Sequence, residues 1–158
     1  MKKAFLVFVV LFLSSSIHSQ HSGIGDDHFK QVEREIKIDI DETIFPKVNT
    51  NTFMSGKPKS LFLSALVENS YMNGKSKMLK FFYDKKFDKK EEKMIASKKV
   101  FSIEGTINKD GIDFVNKNYC NRYNEKSTIM ITTLLEIEAD AEYKGMLEKI
   151  VQSVVEKN

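Results

Sequence analysis

The run from residue 98 to residue 155 constrains the fold more than any other part of the chain. Its first stretch, 100–107, places Phe101, Ile103, Gly105 and Ile107 on one side, the period of two that marks a half-buried strand. Asn108-Lys109-Asp110-Gly111 follows, and the Asp-Gly pair supplies the positive φ that a tight hairpin demands. Residues 112–123 return with Val115, Tyr119 and Tyr123 on one side and Ile112, Phe114 and Cys120 on the other. Asn124-Glu125-Lys126 turns again, and 128–138 is rich in Ile, Thr and Leu. Successive strands joined by short turns make an antiparallel meander.

A helix closes this stretch. Asp140 offers an N-cap, and Glu142 puts a negative charge in the first turn, where the helix dipole favours it. Tyr143, Met146, Leu147, Ile150, Val151, Val154 and Val155 then recur at spacings of three and four, one face of a helix. A helix laid over a meander predicts an α+β fold.

The upstream half is less regular. Ile36, Ile38 and Ile40 alternate with Lys37 and Asp39, which predicts a half-buried strand within 29–40. Phe45-Pro46 ends it, and 47–59 reads as a loop with Asn49, Asn51, Gly56 and Pro58 as breakers. Residues 60–72 fit either a buried strand or a helix capped by Ser60 and ended by Asn73-Gly74. Length and the Glu68-Asn69 tail favour the helix. The spacing predicts a strand over 78–83 and an exposed, charge-paired helix over 87–99, with Met94 and Ile95 inward. The expected whole is an antiparallel meander sheet covered by a C-terminal amphipathic helix and one or two further helices.

The N-terminus reads as a secretory signal. Met1-Lys2-Lys3 is a short basic start, 4–13 an unbroken apolar run, and Ser14, Ser15, Ser16 and Ser19 suit signal peptidase. A bilayer span takes roughly 20 apolar residues, so this run is too short for one. The expected organisation is a signal peptide over 1–19, a flexible lead over 20–28 and a single α+β domain over 29–158. The mature protein is expected to be soluble, periplasmic or extracellular. The formal charge of +3 falls to +1 once Lys2 and Lys3 are removed. Cys120 is the only cysteine, so an internal disulfide is impossible, and burial as a small hydrophobe is the expected fate of its thiol.

Three segments carry a family resemblance: KKVFSIEGTINKDG over 98–111, STIMITTLLEIEAD over 127–140 and YKGMLEKIVQSVV over 143–155. Their order resembles the PsbP-like fold group of small exported proteins, over the C-terminal half of the chain. Upstream the chain departs from that pattern, since no Trp follows Phe45-Pro46. The resemblance implies an antiparallel sheet between helices and an accessory or binding role. It implies no catalytic residue.

Motifs for chemistry are sparse. His21 and His28 fall in the lead, where His28 beside Asp26 and Asp27 reads as a solvated tail rather than a metal site. Asp39, Asp41 and Glu42 lack the ligand spacing of a calcium loop. There is no Gly-x-Ser-x-Gly, no glycine-rich phosphate loop, and no His near Cys120 to act as its base, so no catalytic, metal or cofactor residue is assigned.

Two candidate surfaces remain. One is a lysine patch of Lys75, Lys77, Lys80, Lys85, Lys86, Lys89, Lys90 and Lys93, suited to an anionic envelope component or an acidic protein, or else a solvated helix face. The other is a pocket at Tyr119, Cys120 and Tyr123, residues the packing argument leaves unplaced. The expected function is an exported, non-catalytic binding or accessory module of the cell envelope, a monomer or weak homodimer with no nucleic-acid partner. The rivals are an enzyme built from scattered carboxylates, and a binder of a small amphipathic ligand held between sheet and helix.

Overall fold

The computed structural model describes residues 31–32, 34–82, 87 and 89–158. The expected signal peptide and lead, with His21 and His28, lie outside the described residues, as do Lys85 and Lys86. Eight strands and two helices are described: β1 (Gln31–Val32), β2 (Lys47–Asn49), β3 (Thr52–Gly56), β4 (Lys59–Val67), α1 (Tyr71–Phe81), β5 (Lys89–Ile95), β6 (Lys98–Lys109), β7 (Ile112–Arg122), β8 (Thr128–Glu136) and α2 (Ala141–Lys157). The sheet runs β2-β3-β4-β8-β7-β6-β5 and is antiparallel throughout, with β1 paired to the end of β4. The fold is α+β, and its C-terminal half is the predicted meander.

The β6–β7 hairpin turns at Asp110 and Gly111, both at positive φ (52° and 76°). Asp140 caps α2, its carboxylate accepting from Tyr143 N at 3.0 Å. Strand alternation then sorts the side chains onto two faces. On one, Phe53, Phe62, Leu66, Val100, Tyr119, Ile129, Ile131 and Leu135 meet Leu147, Ile150, Val151, Val154 and Val155 of α2. On the other, Phe101, Ile103 and Cys120 meet Tyr71, Met78, Phe82 and Phe87. Cys120 is buried, as expected.

Upstream the structure corrects several expectations. Residues 60–67 belong to β4, not to a helix. β4 is covered on both faces, so its apolar residues run without the alternation that would have identified it. The expected loop 47–59 holds β2 and β3, which meet β4 through a turn at Lys57 and a cis Pro58. Residues 78–81 end α1 rather than form a strand, because Tyr71, Gly74, Met78 and Phe82 make one buried helical stripe that continues through Asn73-Gly74. Gly74 lets that helix lie close, since a Cβ there would stand 3.2 Å from Cys120 Sγ.

The expected helix 87–99 is instead the edge strand β5, closed onto β6 by a two-residue turn at Ala96 and Ser97 with φ of 48° and 61°. Its alternating charges suit an edge strand, where lysines discourage further pairing.

Residues 34–40 do alternate, with Ile36 buried and Lys37 and Asp39 exposed, yet no strand forms there. They make a strap along α2, and side chains satisfy its backbone. Ile36 N donates to Asn51 Oδ1 at 3.0 Å, and Asp39 N to Ser153 Oγ at 2.9 Å.

Candidate functional site

Alternation along β7 turns Val115, Lys117 and Tyr119 toward α2. The register sets Lys117 opposite Glu104 of β6 and Thr133 of β8, and Val115 opposite Leu135. The first turns of α2 bring Lys144, Leu147 and Glu148 over them. The space left between sheet and helix is a cleft of about 260 Å³ lined by these nine residues, Tyr119 included.

The cleft is graded from apolar to charged. Val115, Leu135 and Leu147 give it an apolar wall, with Leu135 and Leu147 each 5% exposed. At the charged wall Lys117 Nζ bridges Glu104 at 3.2 Å and Glu148 at 3.6 Å, tying the sheet to the helix. Tyr119 is 3% exposed, and its hydroxyl has no hydrogen-bond partner among the described residues. Burial raises its pKa well above the ordinary tyrosine value, with the charges of Glu148, Glu104 and Glu91 adding to the effect. The hydroxyl therefore stays protonated, a neutral donor and acceptor between the apolar wall and the charged one.

The three residues expected to share a pocket are divided. Tyr119 lines the sheet–helix cleft. Tyr123 faces the same side of the sheet but lies beyond the cleft, with Arg34 Cζ 5.1 Å from its ring centroid. Cys120 points to the opposite face, where its thiol donates to Tyr71 O at 3.8 Å. Burial pushes that thiol up to about 12, so it stays protonated and unreactive.

The lysine patch is divided too. Lys75, Lys77 and Lys80 are on α1, while Lys89 and Lys93 face the α2 side of β5 and Lys90 the other. Lys75 and Lys99 both hold Glu92 at 2.9 Å, and Tyr71 OH donates to the same carboxylate at 3.0 Å. These contacts, the one from Lys99 largest, hold the Glu92 carboxyl down at about 2. Lys89 reaches Glu104 at 3.8 Å, and Lys93 reaches Glu91 at 3.3 Å while lying 5.7 Å from the Tyr119 ring centroid. Lys80 and Lys90 are exposed.

Glu104, Lys117, Lys144 and Glu148 were not singled out by sequence. Their one signal is parity: Lys117 falls between Val115 and Tyr119 on the inward side of β7, a place where a lysine needs a partner. Among the described residues no group of His, Cys, Asp and Glu is arranged to hold a metal ion. No helix among them is long and apolar enough to cross a membrane.

A scan against protein-family models finds no match, and a search of curated proteins finds none either. Among solved structures the chain is similar to LpqN of Mycobacterium tuberculosis, a protein described as involved in cell envelope biogenesis. The two share 9% identity with a TM-score of 0.48, over 92% of this chain and 94% of that one.

Proposed function

We propose that this chain is an exported, non-catalytic binding module of the cell envelope, and that it works by holding a small amphipathic ligand in the sheet–helix cleft. The observation that carries the reading is the protonated hydroxyl of Tyr119, a residue buried between the apolar and charged walls of the cleft, which has no partner among the described residues. A ligand would set its apolar body on Val115, Leu135 and Leu147 and hydrogen-bond Tyr119. Its polar end would meet the Glu104–Lys117–Glu148 bridge at the rim. Small-molecule pockets commonly span about 300–1,000 Å³, so this one suits a small molecule or the end of a longer one. Export rests on the signal-like residues 1–19, and the accessory role implied by the PsbP-like resemblance agrees with this use.

Native mass spectrometry of the mature protein after incubation with an envelope lipid extract tests the cleft. The wild type should carry a small adduct, Tyr119→Phe should carry less, and Leu147→Trp, which fills the hollow, should carry none. An equal adduct on the Leu147→Trp protein would refute the cleft as the site. N-terminal sequencing of the processed product tests export, with Gln20 expected first. A product that retains Met1 after expression would remove the envelope assignment.

A further inference from the structure

The sheet forks at the end away from the β6–β7 turn. β6 and β7 stay paired from Lys109 and Ile112 to Val100 and Asn121 and then part. Beyond that point Lys98 and Lys99 follow β5, whereas Arg122 follows β8 opposite Thr128. A second cleft of about 450 Å³ lies in the fork, lined by Tyr71, Lys98, Lys99, Asn121, Arg122 and Tyr123.

Two independent features mark this cleft. The first is charge. Arg122 lies over the Tyr71 ring, 5.7 Å from its centroid, and has no carboxylate partner among the described residues. Glu92 is the nearby carboxylate, and Lys75 and Lys99 already share it. Cations therefore outnumber anions around the fork. The second is an orphan amide. Asn121 is wholly buried at the apex, and neither its Oδ1 nor its Nδ2 has a hydrogen-bond partner. Buried amides are almost always paired, so this one is open to an ordered water or to a polar group of a ligand.

We infer that the fork is an oxyanion-binding site. It takes a small molecule bearing a carboxylate or phosphate beside a hydrogen-bonding group. The oxyanion sits between Arg122 and Lys99, where charge-assisted hydrogen bonds are strongest. The neighbouring group pairs with the Asn121 amide, and to reach it must displace Tyr123 and the Lys98 side chain, whose Nζ donates to Val155 O at 2.8 Å. This site is separate from the sheet–helix cleft and does not depend on it.

The test is an NMR titration of the mature protein with inorganic phosphate and, separately, with N-acetylglycine. The signals followed are the side-chain amide of Asn121 and the guanidinium of Arg122. Saturable shifts with phosphate alone identify a phosphate site, and with N-acetylglycine alone or more tightly a carboxylate site. Either result supports the inference if Arg122→Gln weakens binding about tenfold, the scale of one charge-assisted hydrogen bond. Saturation by neither probe overturns it, as does equal affinity in Arg122→Gln. Asn121→Leu guards against a purely structural explanation. It should remain folded at no cost in melting temperature, because it replaces an amide with no internal partner, and it should bind neither probe. A marked drop in its melting temperature would show that the amide is satisfied within the fold, and the inference would fall.

Discussion

Asn158 grips Lys37 with both ends of its side-chain amide: Lys37 N donates to Oδ1 at 3.1 Å, and Nδ2 donates to Lys37 O at 2.8 Å. A strand residue holds its ladder partner in the same two-bonded way, but here the partner is a side chain beyond a helix. Ser153 adds a single bond one pair along, accepting from Asp39 N while its own hydroxyl donates to Ile150 O. The strap thus meets its hydrogen-bonding needs without entering the sheet.

Asn158→Ala should therefore cost about 1–2 kcal/mol, the scale of two partly exposed hydrogen bonds, and should speed amide exchange at Lys37 and Asp39. Urea unfolding and hydrogen exchange read the two effects. Unchanged exchange at Lys37 would show that the strap is held by its isoleucines alone.

The turn between β5 and β6 is strained by its residues. Ala96 and Ser97 both sit at left-handed φ, a conformation that L-residues with a Cβ adopt at a cost of roughly 1–2 kcal/mol each. Replacing Ser97 by Gly removes that cost against a smaller entropic penalty. A rise in stability of up to ~1 kcal/mol is expected, read as a higher melting temperature.

Glu92 sets an acid limit on the contact between α1 and the sheet edge. Its carboxyl is held at about 2 in the folded state against an ordinary 4.5. A folded pKa below the unfolded one stabilises the fold fully above pH 4.5, and that stabilisation disappears as the pH falls toward 2. Stability measured across this window should decline less steeply in Glu92→Gln than in the wild type.

Gly74 and Cys120 are coupled by space. In an open helix Gly74→Ala would gain about 1 kcal/mol of helix propensity. Here the new methyl would stand 3.2 Å from Cys120 Sγ, so most of that gain should be lost. It should return in a Cys120→Ala background, and a double-mutant cycle measures the coupling directly.

Cys120 should resist alkylation at pH 8 in the native protein, because its thiol is buried and raised to about 12. Labelling should follow the opening of the α1 side, and the mature protein should run as a monomer on a non-reducing gel. Rapid native labelling would contradict the packing of Tyr71 and Gly74 over the thiol.

How much of this was readable depended on how each segment is covered. The β6–β7–β8 meander was legible because its strands are long, Asp110-Gly111 is an unmistakable turn, and apolar residues recur on both faces between Ile112 and Tyr123. β4 was not, because burial on both faces erased its alternation. β5 mimicked a helix because Lys and Glu three and four apart look alike on an exposed helix and a guarded edge, while Ala96-Ser97 gave no sign of the turn. The strap showed the right parity but could not reveal that its partner is α2. Tyr119 was found in the sequence by elimination. Its charged companions were not, since Lys144 and Glu148 look like any exposed helix pair until the register places Lys117 beneath them.

Tyr119 and Cys120 are neighbours in the chain, yet they stand on opposite sides of a wall one side chain thick. Whatever occupies the Tyr119 side can change size or polarity while the α1 side keeps its packing, because the two share only backbone. Two compartments back to back can diverge separately. A run of substitutions along β7 from Ile112 to Cys120 would alternate in effect residue by residue, odd positions altering what the sheet–helix cleft holds and even positions altering how well the protein stands.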